Sequence, residues 1–318
     1  MKAIEWGFII ILYLFLGGMS AGLFFVSAVA TFLHNGDGRY QRIARWGALL
    51  APWPVALGSA LLIFDLGNWY RFYKLFLHLR WVSPMSIGAW LLMLFTALSL
   101  VYAYSWLDQA ERDWLFVRVP RRASMLRKWI RDLSGYRRRL AALGLPLAAG
   151  VGIYTGVLLG AVQSRPFWNT NLVAQLFLFS ALSTGCAGLM LALSFSKRTM
   201  TPEELRLLYL LDICFLTLEF FVVLPYLIHG QLSVEAVRQS MHLILGGPFT
   251  FVFWVFFLWF GLLLPLAIEV GEMLPALLSK ADLQARKWLA GTTAVLILSG
   301  GFLLRDVFVF AGQMSAFK

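Results

Sequence analysis

The chain has 318 residues, 60% of them hydrophobic and 16% aromatic, and a formal charge of +11. Together with a mean hydropathy of +0.75, this lies far outside soluble-domain usage and predicts a polytopic membrane protein. The charge does not point to nucleic acid, because the basic residues fall in short segments between apolar runs, where membrane chains carry their orientation signals.

Eight runs are long enough to cross about 30 Å of hydrocarbon as helices. They lie near 6–33, 47–66, 86–107, 141–163, 173–195, 205–228, 248–270 and 287–307, which predicts an all-α fold. The first contains glycines and continues into a normal chain, which argues against a cleaved signal peptide. Its GGMSAG sets Gly18 and Gly22 four apart, a close-packing helix face. After the second run, residues 67–85 mix aromatics with Arg71, Lys74, His78 and Arg80 and read as an amphipathic interfacial helix, not a span. The basic loop 108–139 is either a platform for a partner or a solvated anchor against anionic lipid. Span five carries SALSTGCAG at 180–188, another small-residue seam. Span six holds two acids, Asp212 and Glu219, seven residues apart, with Tyr226 seven further on. Seven residues are nearly two full helical turns, so the three share one stripe and rise about 10.5 Å per step.

Orientation follows from the positive-inside bias. The connections after spans one, three, five and seven carry 19 of the 27 Lys and Arg residues, and the opposite side carries 8. Both termini are therefore expected on the outer, periplasmic side and the 108–139 loop in the cytoplasm. No loop is long enough to bury a core of its own, so any chemistry takes place in the membrane or on a partner subunit.

The two cysteines, Cys186 and Cys214, sit inside apolar runs and cannot supply the roughly four thiolates of an iron–sulfur cluster; they read as packing residues. The four histidines, His34, His78, His229 and His242, lie in loops or at span ends, with no two at matching depth on separate helices. The expectation is a protein without haem, iron–sulfur cluster or metal of its own.

Four stretches in order, YLFLGGMSAGLFF at 13–25, LLIFDLGNWYRFYKLF at 61–76, GVLLGAVQSRPFWN at 156–169 with SALSTG following, and GGFLLRDVFVFAGQ at 300–313, resemble the NrfD-type family of polysulfide reductase membrane subunits from the first span to the last. The resemblance implies two four-helix bundles, here 1–163 and 164–318, and a quinone pocket near the outer face. It also implies a ferredoxin-like iron–sulfur partner on that face and a catalytic subunit, molybdopterin-containing or a multihaem cytochrome, that houses the terminal chemistry. The setting it implies is the cytoplasmic membrane of a bacterium or archaeon, with menaquinone or ubiquinone as exchangeable substrate. Family members serve complexes with different substrates, so the resemblance leaves the terminal substrate and the direction of electron flow open. In the family, the polar residue just upstream of the glycine-rich face of span one and the tyrosine of the span-four motif contact quinone; here these are Tyr13 and Tyr154, the first departing from relatives that place a histidine there.

The charge-derived orientation gathers Trp6, Tyr13, Asp65, Tyr154 and Arg305 toward the outer side, where a quinone would need an apolar slot and one or two hydrogen-bond donors per carbonyl. The tyrosines are alternatively members of an interfacial aromatic belt. Arg165, followed by Pro166, Phe167 and Trp168, is either a boundary anchor or a docking contact for the electron-carrying partner. Asp212 and Glu219 are costly in a membrane unless paired or wet; they read either as a proton route toward the pocket or as partners of a buried base such as Arg305 that lock the bundles. A different class also accommodates buried acids, small-residue seams and Pro225, Pro248 and Pro265 near helix ends: a proton-coupled transporter. Transporters often show an internal repeat, which this sequence lacks. A purely structural anchor would explain the packing but not the acids.

Overall fold

The computed structural model describes residues 6–33, 38–65, 83–117, 133–278 and 286–315, with the side chains of 65, 115–117 and 276–278 outside that description. The described residues form helices and connections, with no strand among them. Eight helical stretches are long and apolar enough to cross a membrane, one for each predicted run.

The first span is α1, Phe8–Leu33. The second is broken into α2, Gln41–Leu50, and α3, Pro52–Asp65. Proline lacks the N–H that would continue the ladder, so Pro52 ends one helix and starts the next, and α1 stitches the break where the Ser20 hydroxyl donates to the Ala51 carbonyl. The third span, α4, Pro84–Ser105, leads into a short helix α5, Gln109–Val117. The fourth and fifth are α6, Arg137–Gly160, and α7, Leu172–Ser194. The sixth, α8, runs Pro202–Leu232 and begins with a reciprocal cap: Thr201 Oγ1 accepts from the Glu204 amide at 3.2 Å while Glu204 Oε2 accepts from the Thr201 amide at 2.9 Å. A short helix α9, Glu235–Leu245, precedes the seventh span, a π-helical segment Val252–Leu263 that passes into α10, Leu264–Leu278. The eighth is α11, Lys287–Met314.

At the centre, α1 packs against α7, α6 and the broken second span, and along one edge against α11. Glycine makes this possible. A Cβ on Gly22 would strike the Ala181 carbonyl and the Gly185 backbone, and one on Gly185 would strike the Gly22 backbone. The small-residue seams of α1 and α7 are therefore the two halves of one contact. Gly261 and Gly300 repeat the device between the π segment and α11.

Several boundaries differ from the sequence expectation, among them the end of the seventh span, which reaches Leu278 and not 270. The last span runs on through Asp306 to Met314, not to 307, because the apolar register resumes in VFVFAGQM, so Arg305 is not at its end but more than two turns inside. The second span begins at Gln41, well before 47, because α2 is amphipathic and its buried face (Ile43, Ala44, Gly47, Ala48) carries the helix into the basic connection. Residues 67–82 of the predicted interfacial segment and 118–132 of the basic loop lie outside the described residues, while 84 and 85 already belong to α4. The start of the first span meets the end of the last: the Trp6 amide donates to Gln313 Oε1 at 2.7 Å, and Gln313 Nε2 donates back to the Trp6 carbonyl at 2.9 Å.

Candidate functional site

Tyr13, on the second turn of α1, is buried, and its hydroxyl makes no well-formed hydrogen bond, the Tyr154 hydroxyl being the polar group that faces it. Tyr154 on α6 lies within electrostatic reach, so the two phenols face one another from neighbouring helices. Glycines wall the pair. A Cβ on Gly88 of α4 would overlap the tip of the Tyr154 ring, and one on Gly58 of α3 would lie 3.4 Å from the Tyr13 carbonyl and 3.5 Å from its ring. All of the first four spans thus contribute to the surroundings of the pair. A buried hydroxyl is costly to leave without a hydrogen bond, so the two phenols answer each other's burial.

Trp6 and Arg165 share a second set of contacts. Trp6 stacks on Trp168 with centroids 5.3 Å apart, and Trp168 Nε1 donates to the Phe308 carbonyl at 2.7 Å. Arg165 donates to the carbonyls of Gln313 and Ser315, the latter at 2.9 Å. Both belong to a clasp that ties the α6–α7 connection to the ends of α1 and α11. Asp65 is the last residue of α3, and its side chain lies outside the described residues.

Arg305 is fully buried where α1, α7 and α11 meet. It donates to the Leu14 carbonyl at 3.3 Å, to Ser180 Oγ at 3.2 Å and to the Gly301 carbonyl at 2.6 Å, and Phe15 and Phe177 flank its guanidinium. Gly18 leaves the room it needs, since a Cβ there would stand 2.8 Å from Nη2. The guanidinium faces the Glu219 carboxylate across Ser180 and Ser183, and Ser183 Oγ donates to Glu219 Oε2 at 3.5 Å.

The stripe on α8 is buried throughout, as the spacing implied: Asp212, Glu219 and Tyr226 all point inward. The Tyr226 hydroxyl donates to the Phe167 carbonyl at 3.0 Å, which joins the top of the stripe to the clasp. Asp212 faces Glu269 on α10, a partner absent from the sequence expectation; both are fully buried, and neither carboxyl receives a hydrogen bond from another kind of group. Glu269 carries the same signal as Asp212, an acid inside an apolar run (LLLPLAIEVGEML), and could have been found by it. Cys186 packs beside this pair and donates to the Leu208 carbonyl at 3.3 Å, whereas Cys214 faces outward. The structure therefore yields a tyrosine pair within the first four spans and a line of acids within the last four, with Arg305 and Leu14, the neighbour of Tyr13, between them.

The chain matches the family described as polysulphide reductase, NrfD, over residues 1–316. It is 29% identical to Protein NrfD of Escherichia coli strain K12, over 99% of this chain and 96% of that protein. It is 28% identical to the C subunit of the polysulfide reductase of Wolinella succinogenes, over 98% of the present protein and 95% of that subunit. An Hdr-like menaquinol oxidoreductase integral membrane subunit of Archaeoglobus fulgidus is 26% identical over 80% of this chain and 59% of its own. With eight membrane-spanning helices and a match that runs nearly end to end, the chain is a multi-pass membrane protein of the NrfD polysulphide reductase family.

Proposed function

We propose that this chain is the quinone-reactive membrane subunit of a respiratory oxidoreductase complex. It exchanges electrons between menaquinone or ubiquinone and a ferredoxin-like iron–sulfur subunit on the outer face of a prokaryotic cytoplasmic membrane. A further subunit, molybdopterin-containing or a multihaem cytochrome, carries the terminal reaction. Family membership and relatives named as subunits of polysulfide reductase and of a menaquinol oxidoreductase support this reading. The helix contacts support two four-helix bundles: spans one to four close one ring and spans five to eight another, with α1, α6, α7 and α11 at the seam. The excess of basic residues on the face opposite the termini supports an outward placement of both ends of the protein.

The single observation that carries the reading is the pair of buried phenols, Tyr13 and Tyr154, whose hydroxyls face one another between helices of the first four spans. These residues fit a quinone: two neutral phenols offer donors to a carbonyl oxygen, and Gly88 lets the Tyr154 ring lie flush against α4. A bound quinone supplies two-electron, two-proton redox chemistry; the protein's own residues orient it, keep water away and move its protons. Conversion of Tyr154 to Phe keeps the ring and removes the donor. Quinone-linked turnover in the assembled complex is expected to fall by the equivalent of about 1–3 kcal/mol, while partner subunits still co-purify. Unchanged quinone kinetics in both Tyr154→Phe and Tyr154→Ala would place the site elsewhere.

A second expectation concerns cofactors. Two of the four histidines, His229 and His242, are seen at the end of α8 and in α9. The protein freed of partner subunits is expected to give no Soret band and no stoichiometric iron; a haem spectrum that survives their removal would overturn the assignment.

A further inference from the structure

Aromatic rings roof Glu219 and Arg305 on the side of the clasp. On each of the three helices that hold this group, a ring follows the polar residue toward the clasp: Phe177 lies three residues from Ser180 on α7, Phe308 three from Arg305 on α11, and Tyr226 seven from Glu219 on α8. At about 1.5 Å per residue the rings stand roughly 5–10 Å nearer the clasp. They meet as one layer. Phe308 contacts Phe177 at 5.8 Å between centroids and Tyr226 at 5.2 Å; Phe167, from the α6–α7 connection, contacts Phe308 at 5.3 Å and Tyr226 at 5.9 Å. All four are buried, none of them more than 2% exposed. Phe177 is also one of the rings flanking the Arg305 guanidinium, which lies 5.3 Å from its centroid, so the layer begins at the guanidinium itself.

Beyond the layer the protein is polar and exposed. A cavity of about 510 Å³ opens between the α6–α7 connection and the end of α8, with Asn169, Thr170, Asn171 and His229 in its wall. Asn169, Asn171 and His229 are exposed. Phe167 is two residues from Asn169 and Tyr226 three from His229, so the rings stand between this cavity and Glu219. A proton crosses a protein along donors and acceptors, and a buried water needs about two to four polar partners to stay. Within the layer the one such side chain is Tyr226, whose hydroxyl donates to the Phe167 main-chain carbonyl at 3.0 Å, an acceptor with no proton to pass on. The Trp168 indole beside it is likewise taken up by the Phe308 carbonyl at 2.7 Å. Toward the opposite face the surroundings change, and the buried carboxyls of Asp212 and Glu269 continue the line.

We propose that Phe167, Phe177, Tyr226 and Phe308 form a proton barrier that closes the acid line on the clasp side, so that Glu219 exchanges protons only with the opposite face. Where the proposed quinone chemistry draws its protons through Glu219, the barrier fixes the side from which they come. The test needs no quinone. The protein, with the subunits that accompany it, is reconstituted into vesicles loaded with a pH-sensitive dye, and the passive proton leak after a pH step is read without electron donor or quinone. The unaltered protein is expected to be as tight as vesicles that hold no protein. Phe308→Ser puts space and a hydroxyl into the layer and raises the leak at least tenfold, whereas Phe308→Leu keeps the layer apolar and stays tight. Adding Glu219→Gln to Phe308→Ser returns the leak to the unaltered level, because the opened path runs through that carboxyl. Phe167→Ser opens the layer from the connection, where the main-chain carbonyl still accepts from Tyr226, and serves if Phe308→Ser does not fold. A folded serine variant that stays tight overturns the barrier, and normal quinone-linked turnover in the same preparation would leave the quinone site standing without it. A leak that persists with Glu219→Gln overturns the closure of the acid line, since the path then bypasses it. A leak in Tyr226→Phe as large as that in Phe308→Ser overturns the assignment of the barrier to the rings.

Discussion

Gly185→Val is expected to prevent the protein from reaching its folded state in quantity, with the little that folds losing thermal stability in detergent. The valine side chain would have to enter the backbone of α1 at Gly22, where even a Cβ finds no room. Backbone cannot swing aside as a flexible side chain can, so α1 and α7 would have to separate. Overpacking a well-packed interior costs roughly 1–3 kcal/mol when side chains can shift, and here the obstacle is main chain, which puts the cost at or above the top of that range. The seam joins helices from both halves of the protein, so its loss also withdraws support from α6 and α11, which pack on the same pair. Gly188→Ala provides the contrast: its Cβ would meet Met19 Sδ at 3.5 Å, an ordinary contact with a flexible side chain. Its yield and melting temperature are expected to match the unaltered protein. If Gly185→Val folds and melts normally, the Gly22–Gly185 contact does not hold the two helices together.

How far the sequence reveals this arrangement varies with the kind of signal. Eight apolar runs are legible because a bilayer demands length and hydropathy, which are local properties. GGMSAG is legible as a packing face, but its partner is not, since nothing local says that Gly22 meets Gly185 and not another glycine. The stripe of Asp212, Glu219 and Tyr226 follows from helical period alone, and burial of all three agrees with it. What faces the stripe depends on tertiary packing: Glu219 lies opposite Arg305, one of the two options open from sequence, whereas Asp212 lies opposite Glu269, which no spacing rule links to it. Arg305 also sits deeper than its sequence context implies, because a charged pair (Arg305, Asp306) looks like a helix end by hydropathy, yet α11 continues for more than two turns once the guanidinium has Leu14, Ser180 and Gly301 as partners. The contacts of Trp6 with Trp168 and Gln313 could not be read from its depth, because depth along a span says nothing about which side of it a residue occupies.

Glu219→Gln is expected to leave the fold standing and to slow quinone-linked turnover by about a hundredfold or more, the range lost when a positioned proton-transfer group is removed. The amide keeps the volume and can still accept from Ser183, but it cannot carry a proton. Arg305 loses the charge it faces, yet retains three hydrogen bonds to Leu14, Ser180 and Gly301, so the lost attraction does not leave the guanidinium bare. Removing the base is a different matter. Arg305→Ala leaves Glu219 without its countercharge and empties the junction of α1, α7 and α11, and breaking a buried pair in that way costs about 3–5 kcal/mol. The two variants separate the readings of the stripe. If the acids serve as a proton route, Glu219→Gln in sealed vesicles melts within a few degrees of the unaltered protein but turns quinone over slowly and takes up no protons linked to that turnover. If Glu219 only locks the helices, Glu219→Gln melts early, in step with Arg305→Ala, and the folded fraction turns over at the normal rate per molecule. Normal melting, turnover and proton uptake together in Glu219→Gln would remove Glu219 from both roles, and the line from Tyr226 to Asp212 could not then be continuous, because Glu219 is the member of the stripe midway between them on α8.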